Sequence, residues 1–147
     1  MHRLILAMTA VLVAGCGSVW GPLAAARGSG GDQALASGTL VITDRCTFLE
    51  SGGERTLLVW PAEQTSWNPL TATIIFKPLR GQPIEVRNGQ LVSLGGGGSS
   101  QAEDGLVGEA WAARFDWASP PAPECLVENR WSVTDVDEVV RWQRPPT

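Results

Sequence analysis

The chain has 147 residues, is 44% hydrophobic and carries a formal net charge of −4. This length suits one folded domain with its own core. An acidic chain whose single lysine is Lys77 has no basic patch to neutralise phosphates, so nucleic acid is not an expected partner.

A short basic start at residues 1–3 precedes the apolar run Leu4–Val13. The run has the length of a signal-peptide core and is shorter than the ~20 residues that a membrane-spanning helix needs. The sequence VAGC at residues 13–16 follows it and resembles the lipobox of bacterial lipoproteins. The resemblance implies cleavage before Cys16 and acylation of its sulfur, so that the acyl chains anchor the protein outside the cytoplasm. The alternative is a buried N-terminal helix.

Loss of residues 1–15 would change the chemistry open to the mature chain. His2 is the only histidine, so its removal excludes Ser-His-Asp and Cys-His catalysis as well as metal sites with imidazole ligands. Arg3 would also leave, and the mature net charge would be near −5. Anionic lipid head groups would repel such a chain, so the acyl chains have to hold it at the membrane.

Residues 17–37 are rich in Gly, Ala and Ser and show no sustained periodicity, apart from a possible short helix around residues 23–27. The predicted organisation is therefore a signal peptide at 1–15, a lipidated cysteine with a flexible tether at 16–37, and a single β domain at 38–147.

The domain begins with two patterns typical of strands. Residues 38–50 alternate, with a bend at Asp44-Arg45, and residues 55–61 return after a turn at 51–54. If Glu50 faces Arg55, then Phe48 meets Leu57 and Cys46 meets Val59, which makes one face apolar on both strands.

Further short elements follow toward the C-terminus. We predict a strand at 71–78, a hairpin at 83–94 with Gly89 in a left-handed bulge, and a flexible loop at 95–105. Residues 106–117 favour a short helix that brings Trp111 near Phe115, and residues 130–143 favour one or two closing strands. The fold class is all-β: a small antiparallel barrel (OB-like) or a sandwich of five to six short strands, with one short helix near 106–116.

With Cys16 assigned to lipid, Cys46 and Cys125 remain. An exported domain in an oxidising compartment is expected to join such a pair as a disulfide. The alternative is two separate buried thiols, because free cysteine is also a common core residue.

The middle of the chain resembles uncharacterised small domains of bacterial secreted proteins and lipoproteins. The similarity rests on three stretches: GTL at 38–40, LVWP at 58–61 and LGGG at 94–97. It implies an exported β domain and no particular chemistry.

Two residue types remain as functional candidates. Trp67 and Trp117 lie beside loop residues and are the best tryptophans for a binding surface, whereas Trp60 and Trp131 fit the core. The acidic residues at 135, 137 and 138 fit a solvated strand end, and a pair of carboxylates could in principle act on a glycan.

These features favour a non-catalytic binding or structural envelope lipoprotein, with no catalytic residue, no metal and no cofactor. Its expected partners are the membrane, through the lipid, and an envelope protein or glycan. A glycan-binding module with exposed tryptophans and a carboxylate-dependent glycan-active enzyme are the alternatives.

Overall fold

The computed structural model describes residues 19–28 and 33–140, with only the backbone of Val140. These residues form ten strands, two short α-helices and one 3-10 helix. The strands are β1 Ala24–Ala26, β2 Ala34–Ile42, β3 Thr47–Ser51, β4 Glu54–Pro61, β5 Thr65–Asn68, β6 Thr73–Phe76, β7 Ile84–Arg87, β8 Leu91–Ser100, β9 Trp117–Ser119 and β10 Asn129–Val140. The helices are α1 Gln101–Asp104, α2 Gly108–Ala112 and the 3-10 helix Pro123–Cys125.

Five strands close into a barrel. The strands β2, β3 and β4 form an antiparallel meander, β8 pairs with β2, and β10 lies between β8 and β4. Because β10 runs parallel to β4, the barrel is mixed. The predicted all-β, OB-like barrel is confirmed, with one strand pair parallel instead of antiparallel.

The interior of the barrel follows from the period of two in its strands. Alternate residues point inward and form the inner core, and Trp60 in this core donates its indole N–H to the Thr47 hydroxyl at 3.0 Å. The buried apolar residues of the inner core are Leu23, Leu40, Leu49, Leu58, Trp60, Ile74, Phe76, Val86, Val92, Leu94, Val133 and Val136.

The register predicted for β3 and β4 is confirmed. Phe48 pairs with Leu57 and Glu50 with Arg55. The prediction of one bent strand at residues 38–50 is wrong, because the chain reverses at residues 43–46 and β2 pairs antiparallel with β3. The predicted helix is also confirmed as α2, and the Trp111 and Phe115 rings lie 4.8 Å apart between centroids.

The prediction of a hairpin at residues 83–94 is wrong in its pairing. The turn exists, since the Gln90 N–H donates to the Arg87 carbonyl and Gly89 has φ +83°. However, β7 pairs with β6 in a separate three-stranded sheet, and β8 pairs with β2 and β10 in the barrel. Apolar alternation continues on both sides of the turn because both strands contribute to the same inner core.

The prediction of a flexible loop at residues 95–105 is wrong, because β8 runs through the glycines to Ser100 and α1 follows at Gln101–Asp104. The glycines are needed by β10, the neighbouring strand. A Cβ at position 96 would lie 1.9 Å from the Ser132 carbonyl oxygen, and one at position 98 would lie 2.8 Å from Cε3 of Trp131. The glycine run at 95–98 is therefore part of a strand, and it lacks side chains because β10 approaches it closely.

The predicted tether at residues 16–37 also differs from the structure. Leu23 and the three alanines of β1 are buried, and β1 pairs in parallel with β4. Ala24–Ala26 therefore form a strand where a short helix was suggested around residues 23–27. β2 begins at Ala34. The folded domain therefore includes residues whose Gly-, Ala- and Ser-rich composition predicted a linker. None of the helices in the described part of the chain is long and apolar enough to span a membrane.

Candidate functional site

A second apolar cluster lies on the outer face of β3 and β4, beneath residues 105–128, which we call the covering segment. Its buried members, the outer cluster, are Ala26, Cys46, Phe48, Leu57, Val59, Trp111 and Cys125. The predicted Cys46–Cys125 disulfide is confirmed, with a Cα–Cα distance of 5.5 Å and a sequence separation of 79. The disulfide therefore attaches the covering segment to the barrel.

This arrangement changes which surfaces are free to bind a ligand. In OB-type barrels the face of the second and third barrel strands carries the bound oligonucleotide or oligosaccharide. Here those strands are β3 and β4, and the covering segment packs on their outer face. A ligand must therefore approach elsewhere.

A cleft of about 390 Å³ opens along one side of the covering segment. Its floor consists of residues that pair across β8 and β10: Gly97 with Ser132, and Ser99 with Arg130. Gly98 of β8 and Thr134 of β10 extend this floor. The walls come from the end of β1 and from the covering segment, and they comprise Arg27, Gly28, Trp111, Arg114, Phe115 and Asp116.

Arg130 is the most deeply buried charged group of the cleft, at 2% exposure. It forms an ion pair with Asp104 at 3.1 Å, donates to the Leu106 carbonyl, and lies 5.1 Å from the ring centroid of Trp111. Its Nε is buried and has no hydrogen-bond partner among the described residues. The guanidinium thus retains an unused donor, and leaving such a donor unpaired is costly.

Asp104 is the carboxylate that balances Arg130. The Leu106 backbone N–H, 2.9 Å away, and the Arg130 guanidinium hold the pKa of the Asp104 carboxyl below its ordinary value of 3.8. The carboxylate is therefore ionised at neutral pH and fixes both the start of the covering segment and the orientation of Arg130.

The two other arginines of the cleft, Arg27 and Arg114, differ in whether their side chains have ion-pair or hydrogen-bond partners. Arg27 forms an ion pair with Asp116 at 3.1 Å and donates to the Trp117 carbonyl at 2.9 Å. Arg114 is exposed, and its side chain forms no ion pair or hydrogen bond with the described residues. Arg114 is thus the cation of the cleft that is free to meet a ligand.

Aromatic rings form the apolar wall beside these charges. Phe115 stacks on Trp117 at 4.9 Å between centroids and contacts Trp111. Trp117 donates its indole N–H to the Ala112 carbonyl at 2.7 Å. The rings therefore support one another, and Phe115, which is half-buried, presents part of its surface to the cleft.

The residues predicted as a binding surface lie in different places. Trp117 is half-buried behind Phe115, next to the cleft. Trp67 packs against the inner core and lines a separate hollow of about 280 Å³. Cys16, the predicted lipid attachment site, lies outside the described residues.

The candidate carboxylates lie along β10, away from the covering segment. Asp137 lines two further grooves, one with Asp135 and one with Glu138 and Glu85. Only one carboxylate, Asp116, belongs to the described lining of the cleft beside the covering segment, and it pairs with Arg27. No group of metal-ligating side chains that could hold an ion occurs within residues 19–28 and 33–140.

Sequence reasoning did not identify Arg27, Arg114 or Arg130 as site residues. A signal was present for Arg130, because an arginine near the start of a predicted strand needs a polar or charged partner wherever that strand is buried. Nothing comparable marks Arg27 or Arg114, which meet only because β1 and the covering segment approach the same side of the barrel.

Comparison with models of protein families, with curated proteins and with solved structures finds no significant match to this chain. Functional inference therefore rests on the geometry of the site.

Proposed function

We propose that this protein is a lipid-anchored, extracytoplasmic binding protein that takes a small ligand in the cleft beside the covering segment. The ligand would be held without covalent chemistry, by the arginine and hydroxyl groups of the floor and by the aromatic wall. Acyl chains on Cys16 would keep this binding domain at the membrane.

The cleft is the observation that carries the proposal. Small-molecule sites are concave, span about 300–1,000 Å³ and combine apolar walls with a few convergent polar groups. The cleft here has a volume of about 390 Å³, and one of its polar groups, Arg130, is almost completely buried with an unpaired donor.

The disulfide supports the extracytoplasmic part of the proposal. Disulfides form and persist in oxidising compartments, and Cys46–Cys125 joins the covering segment to the barrel. An oxidising compartment would therefore also maintain the wall of the cleft.

Binding can be tested by NMR on the full-length protein in detergent micelles. The probes are soluble cell-wall fragments, monosaccharides and amino acids at millimolar concentration. We expect at least one probe to shift the Trp111 indole and Arg130 Nε–H signals. If none of them moves either signal, the proposed function is wrong.

A pair of variants shows whether such binding occurs in the cleft. Ser132→Leu places a larger side chain on the cleft floor, and we expect it to weaken binding at least tenfold. Ser66→Leu makes the same change on an exposed position of β5, and we expect it to leave binding unchanged. Equal effects of both substitutions would place the ligand elsewhere.

Anchoring is tested separately by intact mass of protein isolated from its own host. We expect a mass lacking residues 1–15 and increased by the acyl chains, and we expect Cys16→Ala to lose the added mass and to leave the membrane fraction. An unmodified Cys16 preceded by the first 15 residues would contradict the anchor.

A further inference from the structure

We propose that the ligand of this cleft carries an oxyanion, a carboxylate or a phosphate, which Arg114 contacts directly and Arg27 and Arg130 attract. This inference rests on the proposed function, because it assigns the ligand class of the same site.

The charge distribution points to an anion. The chain as a whole is acidic, yet three of the eight basic side chains within residues 19–28 and 33–140 line this one cleft. They face a single carboxylate of the lining, Asp116. Positive charge concentrated in a concave site with low-dielectric walls raises the local concentration of anions.

Asp116 balances Arg27 and Asp104 balances Arg130, so three arginines against two carboxylates leave one positive charge, that of Arg114. Asp104 accepts from one terminal nitrogen of Arg130 and leaves the buried Nε without a partner among the described residues. Because this Nε is buried, Arg130 contributes positive charge to the cleft, and the direct contact falls to an exposed arginine.

Arg114 provides the direct contact. Every other arginine of the lining already has a carboxylate partner at 3.1 Å, whereas Arg114 has none among the described residues. An unpaired guanidinium presents a planar fork of donors that matches carboxylate and phosphate oxygens.

The aromatic wall and the volume of the cleft limit the chemistry and the size of the rest of the ligand. Phe115 and Trp111 present ring surface next to Arg114, and an aromatic ring packs well on the apolar face of a sugar or of another ring. A volume of about 390 Å³ is near the lower end of the range for small-molecule sites. We therefore expect a single acidic sugar or a molecule of similar size, and not a polymer.

Matched pairs of probes test this inference on the full-length protein in micelles. N-acetylmuramic acid differs from N-acetylglucosamine by an added lactyl carboxylate, and glucose 6-phosphate differs from glucose by a phosphate. We expect the acidic member of at least one pair to bind at least tenfold more tightly than its neutral partner and to shift the Arg130 Nε–H signal. The pair that responds identifies the oxyanion as a carboxylate or a phosphate.

Two arginine variants locate the contact. Arg114→Gln removes the free guanidinium, and we expect it to weaken binding of the acidic probe about tenfold or more, since bonds to charged groups are the strong ones. Arg80→Gln removes an exposed arginine that lines a different groove, and we expect no change. Added salt should weaken binding to the native protein more than binding to Arg114→Gln.

The outcomes separate the two proposals. If neutral and acidic probes bind equally and both shift the Trp111 indole signal, the cleft binds ligands but the oxyanion inference is wrong. If Arg114→Gln and Arg80→Gln weaken binding equally, the assigned contact is wrong. If no probe shifts any signal from the cleft, both the ligand class and the proposed function are overturned.

Discussion

The inner core and the outer cluster use similar residues but are held together in different ways. The inner core lies between the closed ring of barrel strands, which five strand pairs join, and the separate β5–β6–β7 sheet, which contributes Ile74, Phe76 and Val86. The outer cluster lies beneath the covering segment, whose regular elements are a five-residue helix, a three-residue strand and a three-residue 3-10 helix. The segment is attached by the short pairing of β9 with β1, by the disulfide and by the hydrogen bond from Arg130 to the Leu106 carbonyl.

The difference shows where this protein can be changed without losing its fold. A closed ring of paired strands keeps its geometry when one side chain is altered. A segment held by one short strand pair and a few side-chain contacts opens locally at lower cost. The cleft is built half from each kind of structure: its floor belongs to β8 and β10 and its wall to the covering segment. Variants can therefore test the floor and the wall independently.

The largest effect is expected from Trp60→Ala in the inner core. Trp60 is fully buried and hydrogen-bonded to Thr47, so truncation leaves a large cavity and should cost about 3–5 kcal/mol of unfolding free energy. Chemical denaturation followed by circular dichroism measures the loss. If hydrogen exchange in β3 and β4 stayed at its native level, the inner core would not control the stability of the barrel.

Removing the disulfide should cause the next largest loss of unfolding free energy. The loss of protection should be concentrated in the covering segment and not spread through the barrel. In Cys46→Ala with Cys125→Ala, we expect a loss of about 2–4 kcal/mol, because the 79-residue separation makes the closed loop long. Hydrogen exchange should rise most in residues 105–128. An equal rise throughout the barrel would contradict the distinction between the two regions.

Gly98→Ala tests the floor of the cleft. The added methyl group would lie 2.8 Å from Cε3 of Trp131, so the ring or the strand must shift, at a cost of about 1–3 kcal/mol. Gly95→Ala is the matched control on the same strand, because its methyl group would meet Asp135 at an ordinary 3.4 Å. Thermal unfolding of the two variants measures the difference, and equal losses would mean that Trp131 does not require the glycine.

Much of the barrel could be predicted from local pattern. The pairing of Phe48 with Leu57 follows from the turn at 51–54 and from the need to keep one apolar face. The role of the glycines at 95–98 could not be predicted, because it depends on Trp131 in a strand 33 residues further along the chain. The burial of Ala24–Ala26 was missed for a similar reason: alanines become core residues only when β4 supplies a partner strand.

The site could be predicted less well than the fold. Spacing predicted that Trp111 and Phe115 would meet, because both lie within one short segment. The convergence of Arg27, Arg114 and Arg130 is a product of tertiary structure alone, since 87 residues separate the first two in the sequence. A local pattern contains no information about contacts of that separation.

The smallest effect at neutral pH, and the one most specific to the wall, concerns Asp104. Its pKa in the folded protein is below the ordinary value of 3.8, first because of the Leu106 N–H and then because of Arg130. A lowered folded pKa means that this carboxylate stabilises the fold fully above its unfolded pKa, and that the stabilisation is lost as pH falls through the folded pKa. Asp104→Asn should therefore be less stable than the native protein at pH 7, and the two should converge below pH 3.8. Denaturant midpoints across this range measure the convergence. A constant difference between the two proteins down to the most acidic conditions would mean that the buried Arg130 is held by the Leu106 carbonyl and Trp111 and not by the charge of Asp104, since only the charge is lost on protonation.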